Sequence, residues 1–234
     1  MVTHRHAKRA QEYGTDALIS TGYEAAGHGG PITNLVLIPS LVDSVDIPII
    51  AAGGFGDGRG LAAALALGAE GIAMGTRFMT TKESGLHEHF KKVSIERSVY
   101  DTLYTPRIDG LDCRVMDTNG ARRSHRRGLD LMGAFFNSRG IARQLHLPYF
   151  KLVISILASG WKNTRHMANM ANAFHEFRLA TEEGDEEKGV LPVGQVMGMI
   201  YDSPSVSELI ERMVKEAEGV GRKLSTQLLP KLTS

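Results

Sequence analysis

Residues 47–76 read IPIIAAGGFGDGRGLAAALALGAEGIAMGT. The stretch opens on an apolar run without polar alternation and ends on a second one, as is typical of parallel strands covered on both faces. A glycine-rich turn and an alanine-rich segment lie between the two runs. We expect a helix over 61–67, with Asp57 as its N-cap and Gly68 as its C-terminal stop. The stretch therefore predicts a strand–loop–helix–strand unit.

The same unit recurs in the preceding sequence. The three predicted strands are Ala17–Ser20, Ile47–Ala52 and Gly71–Met74, and helices are expected at about 4–13 and 36–45. The strands start about 24 to 30 residues apart, which is the length of one β-loop-α unit in an α/β barrel or a doubly wound sheet. A closed eight-stranded barrel needs about 250 residues. Three units are too few, so the barrel-like part is expected to be incomplete.

The sequence pattern changes after Thr81, where the alternation of strand-like and helical segments ends. Residues 83–187 show helical amphipathicity and no convincing strand, and we interpret the basic run RRSHRR at 122–127 as a solvated loop in preference to a phosphate contact. Residues 182–188 are expected to form a solvated connection. Ser205 and Glu208 form a capping box ahead of a helix with one apolar stripe. We therefore predict βα units over 1–84, a mainly helical insert or lid over 85–190, and a return segment with a closing helix over 191–234.

Composition limits the classes of partner. The 234 residues are 42% hydrophobic and carry a formal charge of +1, which is typical of a soluble globular protein and gives no reason to expect nucleic acid or an anionic membrane. The longest mainly apolar stretch, 152–158, is far shorter than a membrane span, and the amino terminus has no apolar leader segment. The single cysteine, Cys113, fits a reducing compartment, so the cytoplasm is the expected location. Small molecules are the default partners.

Glycine-rich turns follow all three predicted strands, at 22–30, 53–60 and 75–76. Carboxyl ends of strands are where α/β folds bind their ligands, and glycine allows backbone N–H groups to approach a phosphate closely. One such turn is also common in tight connections, but two in consecutive units favour a phosphate site.

Candidate catalytic groups are few. His28 lies among glycines and is a candidate acid or base, whereas Glu24 is expected to have a structural role. The remaining histidines lack the spacing of metal ligands, so no metal is expected. Cys113 has no signature of a catalytic thiol, and the methionines, Met167, Met170, Met197 and Met199 among them, are expected to pack a helical core.

The segments GYEAAGHGG (22–30) and IPIIAAGGFGDGRGLAAALALGAEGIAMGTRFMTTKES (47–84) together resemble the nitronate monooxygenase family of FMN-dependent TIM-barrel enzymes. The segment LPVGQVMGMI (191–200) is similar to the family's carboxyl-terminal part. The resemblance implies a fold of α/β class and TIM-barrel type, with the three strands corresponding to strands six to eight and strands one to five absent.

The resemblance also implies a cofactor site for FMN. It aligns His28 with the family's active-site histidine and brings the phosphate to the backbone of Gly53, Gly54, Gly75 and Thr76. The other implied cofactor-binding positions are Thr21, Ala26, Gly27, Ala73 and Met74. Thr21, Ala26 and Ala73 replace residues that are usual in the family, so the contacts expected there are those of the backbone.

The function that the resemblance implies is oxidation of alkyl nitronates or nitroalkanes by O₂ to a carbonyl compound and nitrite. The alternatives are an NAD(P)H-dependent FMN reductase of quinones or enoyl thioesters, and an inactive truncated fragment. A homo-oligomer is a further expectation.

Overall fold

A computed structural model describes residues 3–144, 146 and 148–228 of the chain. Its first third alternates strands and helices: α1 (His4–Glu12), β1 (Leu18–Thr21), α2 (Asn34–Val42), β2 (Ile49–Ala52), α3 (Gly58–Ala66), β3 (Gly71–Ala73) and the short α4 (Thr76–Met79). All three predicted strands are present, displaced by at most two residues at either end. The helices expected at 4–13, 36–45 and 61–67 correspond to α1, α2 and α3.

The three strands form one parallel sheet in the order β1-β2-β3. Leu18 lies opposite Ile49, and Ile50 lies opposite Gly71. Helices α2 and α3 cover one face, where Ile38, Ala51 and Ala64 are buried in a common apolar cluster. The other face is less covered, since Ile50 and Ala52 are half-buried and Ile19 is 58% exposed. The apolar runs thus identified the strands, although the described residues bury them mainly on one face.

The local ends of α3 are those predicted. The Asp57 carboxylate accepts hydrogen bonds from the backbone N–H groups of Arg59 and Gly60, and Gly68 adopts a φ of +91° just beyond the helix. A side chain from elsewhere adds a third bond, since Glu216 accepts from the N–H of Gly58 at 2.9 Å. The helix is therefore capped both locally and by the carboxyl-terminal region.

The expectation of no strand within 83–187 is wrong. After α5 (Glu88–Glu96), the strands β4 (Thr102–Thr105) and β5 (Cys113–Met116) form an antiparallel hairpin. The four residues of β5 are all buried, without the solvent-facing alternation of a surface strand. A four-residue strand buried on both faces has no periodicity that separates it from a helix segment.

The assignment of RRSHRR to a loop is also wrong. These residues lie in α6 (Asn119–Arg127), which Thr118 caps by accepting from the N–H of Ala121. A three-helix unit follows, made of α7 (Leu131–Gln144), α8 (Tyr149–Ala158) and α9 (Trp161–Thr181). The division of the chain into 1–84, 85–190 and 191–234 remains a prediction.

The carboxyl-terminal part returns to the first third. Leu191 accepts a backbone hydrogen bond from Met116 at 2.8 Å, a 3₁₀-helix spans Gln195–Met199, and α10 (Val206–Leu228) then packs across α3. The predicted capping box is confirmed, because Ser205 Oγ accepts from the N–H of Glu208 while the Glu208 carboxylate accepts from the N–H of Ser205. No helix of the described part of the chain is long and apolar enough to cross a membrane.

Candidate functional site

A cavity of about 260 Å³ opens at the carboxyl ends of β1, β2 and β3. Parallel strands present their ligand-binding loops at this edge. The residues that line the cavity are Thr21, Ala25, Ala26, Ala52, Gly53, Gly54, Phe55, Ala73, Met74, Gly75, Thr76, Gly194 and Val196. Eight of the nine cofactor-binding positions implied by the resemblance are therefore brought together, and Gly27 lies outside the lining.

The glycines of this cavity form a cradle of backbone groups. Gly53 and Gly54 have φ values of +92° and +82°, and a Cβ on Gly53 would lie 2.8 Å from that of Ala25. Across the described residues, the backbone N–H groups of Gly53, Gly54 and Gly75 have no protein acceptor. Backbone donors without a protein acceptor, on residues that line a cavity, are available to an anionic ligand such as a phosphate.

Asn34 fixes the position of this cradle. Its Nδ2 donates to the backbone carbonyls of Ala52 and Gly53 at 3.0 and 2.5 Å, and its own backbone N–H donates to the Glu24 carboxylate. Glu24 therefore caps α2, which confirms the expected structural role. The sequence analysis did not identify Asn34, because a side chain that bonds to a loop 19 residues away leaves no local pattern.

The return segment closes one side of the cavity. The backbone N–H of Gly194 donates to the Thr76 hydroxyl at 2.9 Å, and that of Gln195 donates to the carbonyl of Glu24 at 3.0 Å. A Cβ on Gly194 would come within 2.8 Å of that carbonyl oxygen. Residues more than a hundred positions apart therefore form one wall of the cavity. This long-range contact was not predicted from the sequence.

His28 lies just outside the cavity lining, two residues after Ala26 on the same loop. Its Nε2 is 2.7 Å from Oδ2 of Asp109, whose other oxygen accepts from the N–H of Leu111. The Asp109 side chain is buried, whereas about half of the His28 side chain is exposed. Because an ionised carboxylate only accepts hydrogen bonds, it keeps the proton of a neutral imidazole on Nε2. The lone pair on Nδ1 is then free to accept a proton from a substrate.

Asp109 lies in the turn of the β4–β5 hairpin, and the hairpin contacts the loop that carries His28. Gly27 and Arg114 exchange two backbone hydrogen bonds of 3.0 and 2.9 Å. The buried Arg114 guanidinium lies over the rings of Tyr23 and Tyr104, 4.6 and 5.0 Å from their centroids, and donates to the carbonyl of Tyr23. Since Asp109 and Arg114 belong to one hairpin, these contacts hold the carboxylate against the histidine.

One signal in the sequence could have revealed Asp109. Asp-Gly dipeptides favour turns, and Gly110 indeed has a φ of +98°. The dipeptide lies between the short runs TLYT and CRVM, which are the two strands. An unrecognised hairpin turn thus concealed the partner of His28.

Cys113 is the third polar group of this region. Its sulfur, a carboxylate oxygen of Asp109 and a ring nitrogen of His28 lie within 4.8 Å of one another. Burial, with the charge of Asp109 as a lesser cause, raises the pKa of the Cys113 thiol to about 12. The thiol is therefore protonated at neutral pH, and a protonated thiol is a poor nucleophile. This agrees with the inert role expected for it.

The methionines show mixed behaviour. Met197 is fully buried in a cluster with Phe90, Met116 and Leu191, as expected of a core residue. Met167 is largely exposed and lines an apolar groove between α7, α8 and α9. The expectation of core packing therefore holds for Met197 and not for Met167.

A glycine-lined cavity at the ends of parallel strands, beside a histidine paired with a buried carboxylate, is the arrangement typical of α/β proteins that bind a small ligand next to an acid–base group. The family model of nitronate monooxygenase matches residues 1–216. The chain belongs to the nitronate monooxygenase family.

Individual relatives have different names. A protein of Rhodococcus jostii (strain RHA1), named (3aS,4S,5R,7aS)-5-hydroxy-7a-methyl-1-oxo-octahydro-1H-indene-4-carboxyl-CoA dehydrogenase, is 38% identical over 218 residues, covering 91% of this chain and 62% of the relative. FabK from Thermotoga maritima superposes with a TM-score of 0.72 at 33% identity, over 96% of this chain and 61% of its own. Nitroalkane oxidase from Streptomyces ansochromogenes superposes with a TM-score of 0.67 at 25% identity, over 96% and 58%. The chain thus spans about three fifths of the length of each.

Proposed function

We propose that the chain forms the carboxyl-terminal βα units of a TIM barrel and holds FMN in an oxidoreductase of the nitronate monooxygenase family. The observation that carries this proposal is that three residues whose backbone N–H groups have no protein acceptor in the described part of the chain line one cavity, namely Gly53, Gly54 and Gly75. Barrels of this type commonly bind phosphate at the loops after their last two strands. In this chain, those loops follow β2 and β3.

The cradle suits the phosphate of FMN in its size and its donors. Gly53 and Gly54 leave their backbone approachable because neither position carries a Cβ, and the Cβ of any other residue at Gly54 would lie 3.0 Å from Glu24. Thr21, Ala26 and Ala73 line the same cavity with small side chains, which leaves space beside the phosphate position. Gly27 belongs to the proposed site through its bridge to Arg114 next to His28.

FMN supplies the electron transfer when it is bound. His28 acts on protons: its Nδ1 accepts the proton of a neutral carbon acid, and the buried Asp109 carboxylate stabilises the imidazolium that results. Asp109 also sets the orientation of the ring, through the 2.7 Å contact at Nε2. The pair would place a positive charge beside the anionic form of a substrate.

The substrate that we propose first is a nitroalkane or its nitronate, with O₂ as the second substrate and a carbonyl compound and nitrite as products. The acidic C–H next to a nitro group is suited to a base such as His28. The structural likeness to a nitroalkane oxidase over 96% of the chain supports this class of substrate.

A second candidate is a CoA thioester. The Rhodococcus relative, named as a carboxyl-CoA dehydrogenase, is 38% identical to this chain over 218 aligned residues, against 25% identity for the nitroalkane oxidase. A further alternative is an NAD(P)H-dependent reductase, and anaerobic mixing of the flavin-loaded chain with NADH or with a nitronate tests it. Bleaching of the bound flavin by NADH supports the reductase. Bleaching by a nitronate supports the first candidate.

Gly75→Val tests the cradle itself. A Cβ at Gly75 meets nothing within 4 Å, so the variant should fold, while its branched side chain crowds the phosphate position. We expect FMN affinity to fall by at least about tenfold, as for the loss of a charge-assisted hydrogen bond. Fluorescence titration of FMN measures this affinity, with thermal unfolding as a check on the fold.

Gly85→Val is the matched control, because Gly85 is equally unobstructed and lies outside the cavity lining. Equal FMN affinity in both variants would contradict the proposed phosphate site.

A further inference from the structure

Helix α6 carries five basic side chains and no acidic one, on a protein whose formal charge is only +1. Two of its arginines are already engaged: Arg122 pairs with Asp117 at 2.7 Å and Arg127 pairs with the buried Glu176 at 2.6 Å. Across the described residues, Arg123 and Arg126 have no carboxylate partner. Both are exposed, and they are three residues apart on one face of the helix.

These arginines share one depression of the surface. Arg123, Arg126 and Arg127 line it together with Asp130. Asp130 brings one negative charge to the depression, and one of its carboxylate oxygens accepts from the backbone N–H of Gly133 at 2.7 Å. Among the described residues, the guanidinium groups of Arg123 and Arg126 have no carboxylate partner, and that of Arg126 uses only its Nε–H, which donates to the carbonyl of Arg122. Together with the third arginine they outweigh the single charge of Asp130 and are suited to a phosphate monoester, because the planar fork of arginine matches phosphate oxygens in pairs.

The arginine pair is linked to the hairpin that carries Asp109, the partner of His28. His125, between the two arginines in sequence, is 2.8 Å from the Thr105 hydroxyl, which also accepts from the N–H of Arg107. Thr105 and Asp109 are four residues apart, so their Cα atoms lie at most ~14 Å from each other. Arg107 adds a further positive charge between them, and it too has no carboxylate partner in the described part of the chain.

We propose that Arg123 and Arg126 bind the ribose phosphate of a CoA thioester whose acyl end reaches His28. This inference rests on the second candidate of the proposed function. CoA carries its phosphate monoester at one end of a long flexible arm and its thioester at the other, which matches a basic site set apart from an acid–base residue. The 2′-phosphate of NADPH has the same chemistry, and the experiment separates the two sources.

Isothermal titration of the full chain, with and without FMN, tests the site directly. We expect CoA to bind at least about tenfold more tightly than dephospho-CoA, and this difference to disappear in Arg123→Gln/Arg126→Gln. Arg5→Gln/Arg222→Gln removes the same charge from exposed helix positions elsewhere and should retain the difference. A larger preference for NADPH over NADH than for CoA over dephospho-CoA would assign the site to the dinucleotide instead.

Two results would overturn the proposal. One is equal affinity of the native chain for CoA and dephospho-CoA, a comparison that needs no variant and no folded mutant. The other is equal loss of CoA binding in the two double variants, which would reduce the effect to general electrostatic attraction. CoA binding is measured separately from FMN binding. If the chain retains no FMN but binds CoA more tightly than dephospho-CoA, the flavin proposal fails and the proposed CoA site stands.

Discussion

At the scale of single residues, the proposed site pairs an exposed histidine, His28, with a buried carboxylate, Asp109. His28 can meet a substrate because half of its side chain is exposed, whereas Asp109 is shielded from solvent and keeps its contact with His28. Isolated, a buried carboxylate would be costly, but this one accepts from both His28 and the N–H of Leu111. The pair is thus held without a need for water.

His28→Asn should reduce turnover of a neutral nitroalkane by the FMN-loaded protein by about 10² to 10⁴, the usual contribution of a positioned base. Turnover of the pre-formed nitronate should fall much less, because that substrate has already lost its proton. FMN affinity is expected to stay the same, since the cradle lies on other loops. Equal losses on both substrates would show that His28 stabilises charge and does not remove a proton.

Asp109→Asn is the companion variant. It preserves the shape of the side chain and removes the charge that stabilises the imidazolium, so kcat should fall in the same direction as for His28→Asn while KM changes little. Steady-state kinetics on both substrates measures the two constants. A rise in KM alone would assign Asp109 a role in substrate binding instead of proton transfer.

At the scale of the elements, helix ends were predictable because their signals are local. Asp57, Gly68 and the Ser205–Glu208 box were all identified from the sequence, and each does in the structure what its residue type favours. The cavity residues were predictable through the family resemblance and the glycine pattern. The hairpin was not, because β5 is buried throughout and the half-buried β4 is equally short, so neither strand shows a clear period. With the hairpin, the partner of His28 was missed.

Asp57→Ala should destabilise the protein by about 1 kcal/mol at pH 7, the typical contribution of an N-cap. Burial raises the pKa of Asp57, but hydrogen bonds from Arg59 and Gly60 outweigh it and hold the pKa below its ordinary value of 3.8. The carboxylate therefore stabilises the fold above about pH 4, and this contribution is lost as the pH falls through the folded-state pKa.

Urea unfolding of the native chain and the variant at several pH values checks both statements. The difference in free energy of unfolding should be constant near neutrality and shrink below about pH 4. Asp57→Asn, which can still accept the two backbone bonds, should lose less than the alanine variant at pH 7. A difference that does not change with pH would exclude the charge as the source of stability.

At the scale of the whole molecule, the sheet has two open edges. Within the described residues β1 and β3 each pair with one strand only, and Ile19 on β1 is 58% exposed. Unpaired edges with apolar side chains favour association with another strand. The chain by itself is therefore expected to self-associate, as measured by size-exclusion chromatography with light scattering.

Ile19→Lys should shift the chain toward the monomer, since a charge on an edge strand opposes pairing. Leu65→Lys is the control, because Leu65 is similarly exposed on α3, away from the sheet edge. A native chain that is monomeric at all concentrations and unfolds cooperatively would contradict the expectation.

The contact between His28 and Asp109 also has a cost in chain entropy. It joins residues 81 positions apart, whereas the bond from Glu24 to Asn34 that orders the phosphate cradle spans ten. By the logarithmic dependence of loop closure on length, the longer loop costs about 2 kcal/mol more to close. The bond between Glu24 and Asn34 can therefore form within one short stretch of nascent chain, whereas the pair of His28 and Asp109 can form only after about a further third of the chain has been synthesised.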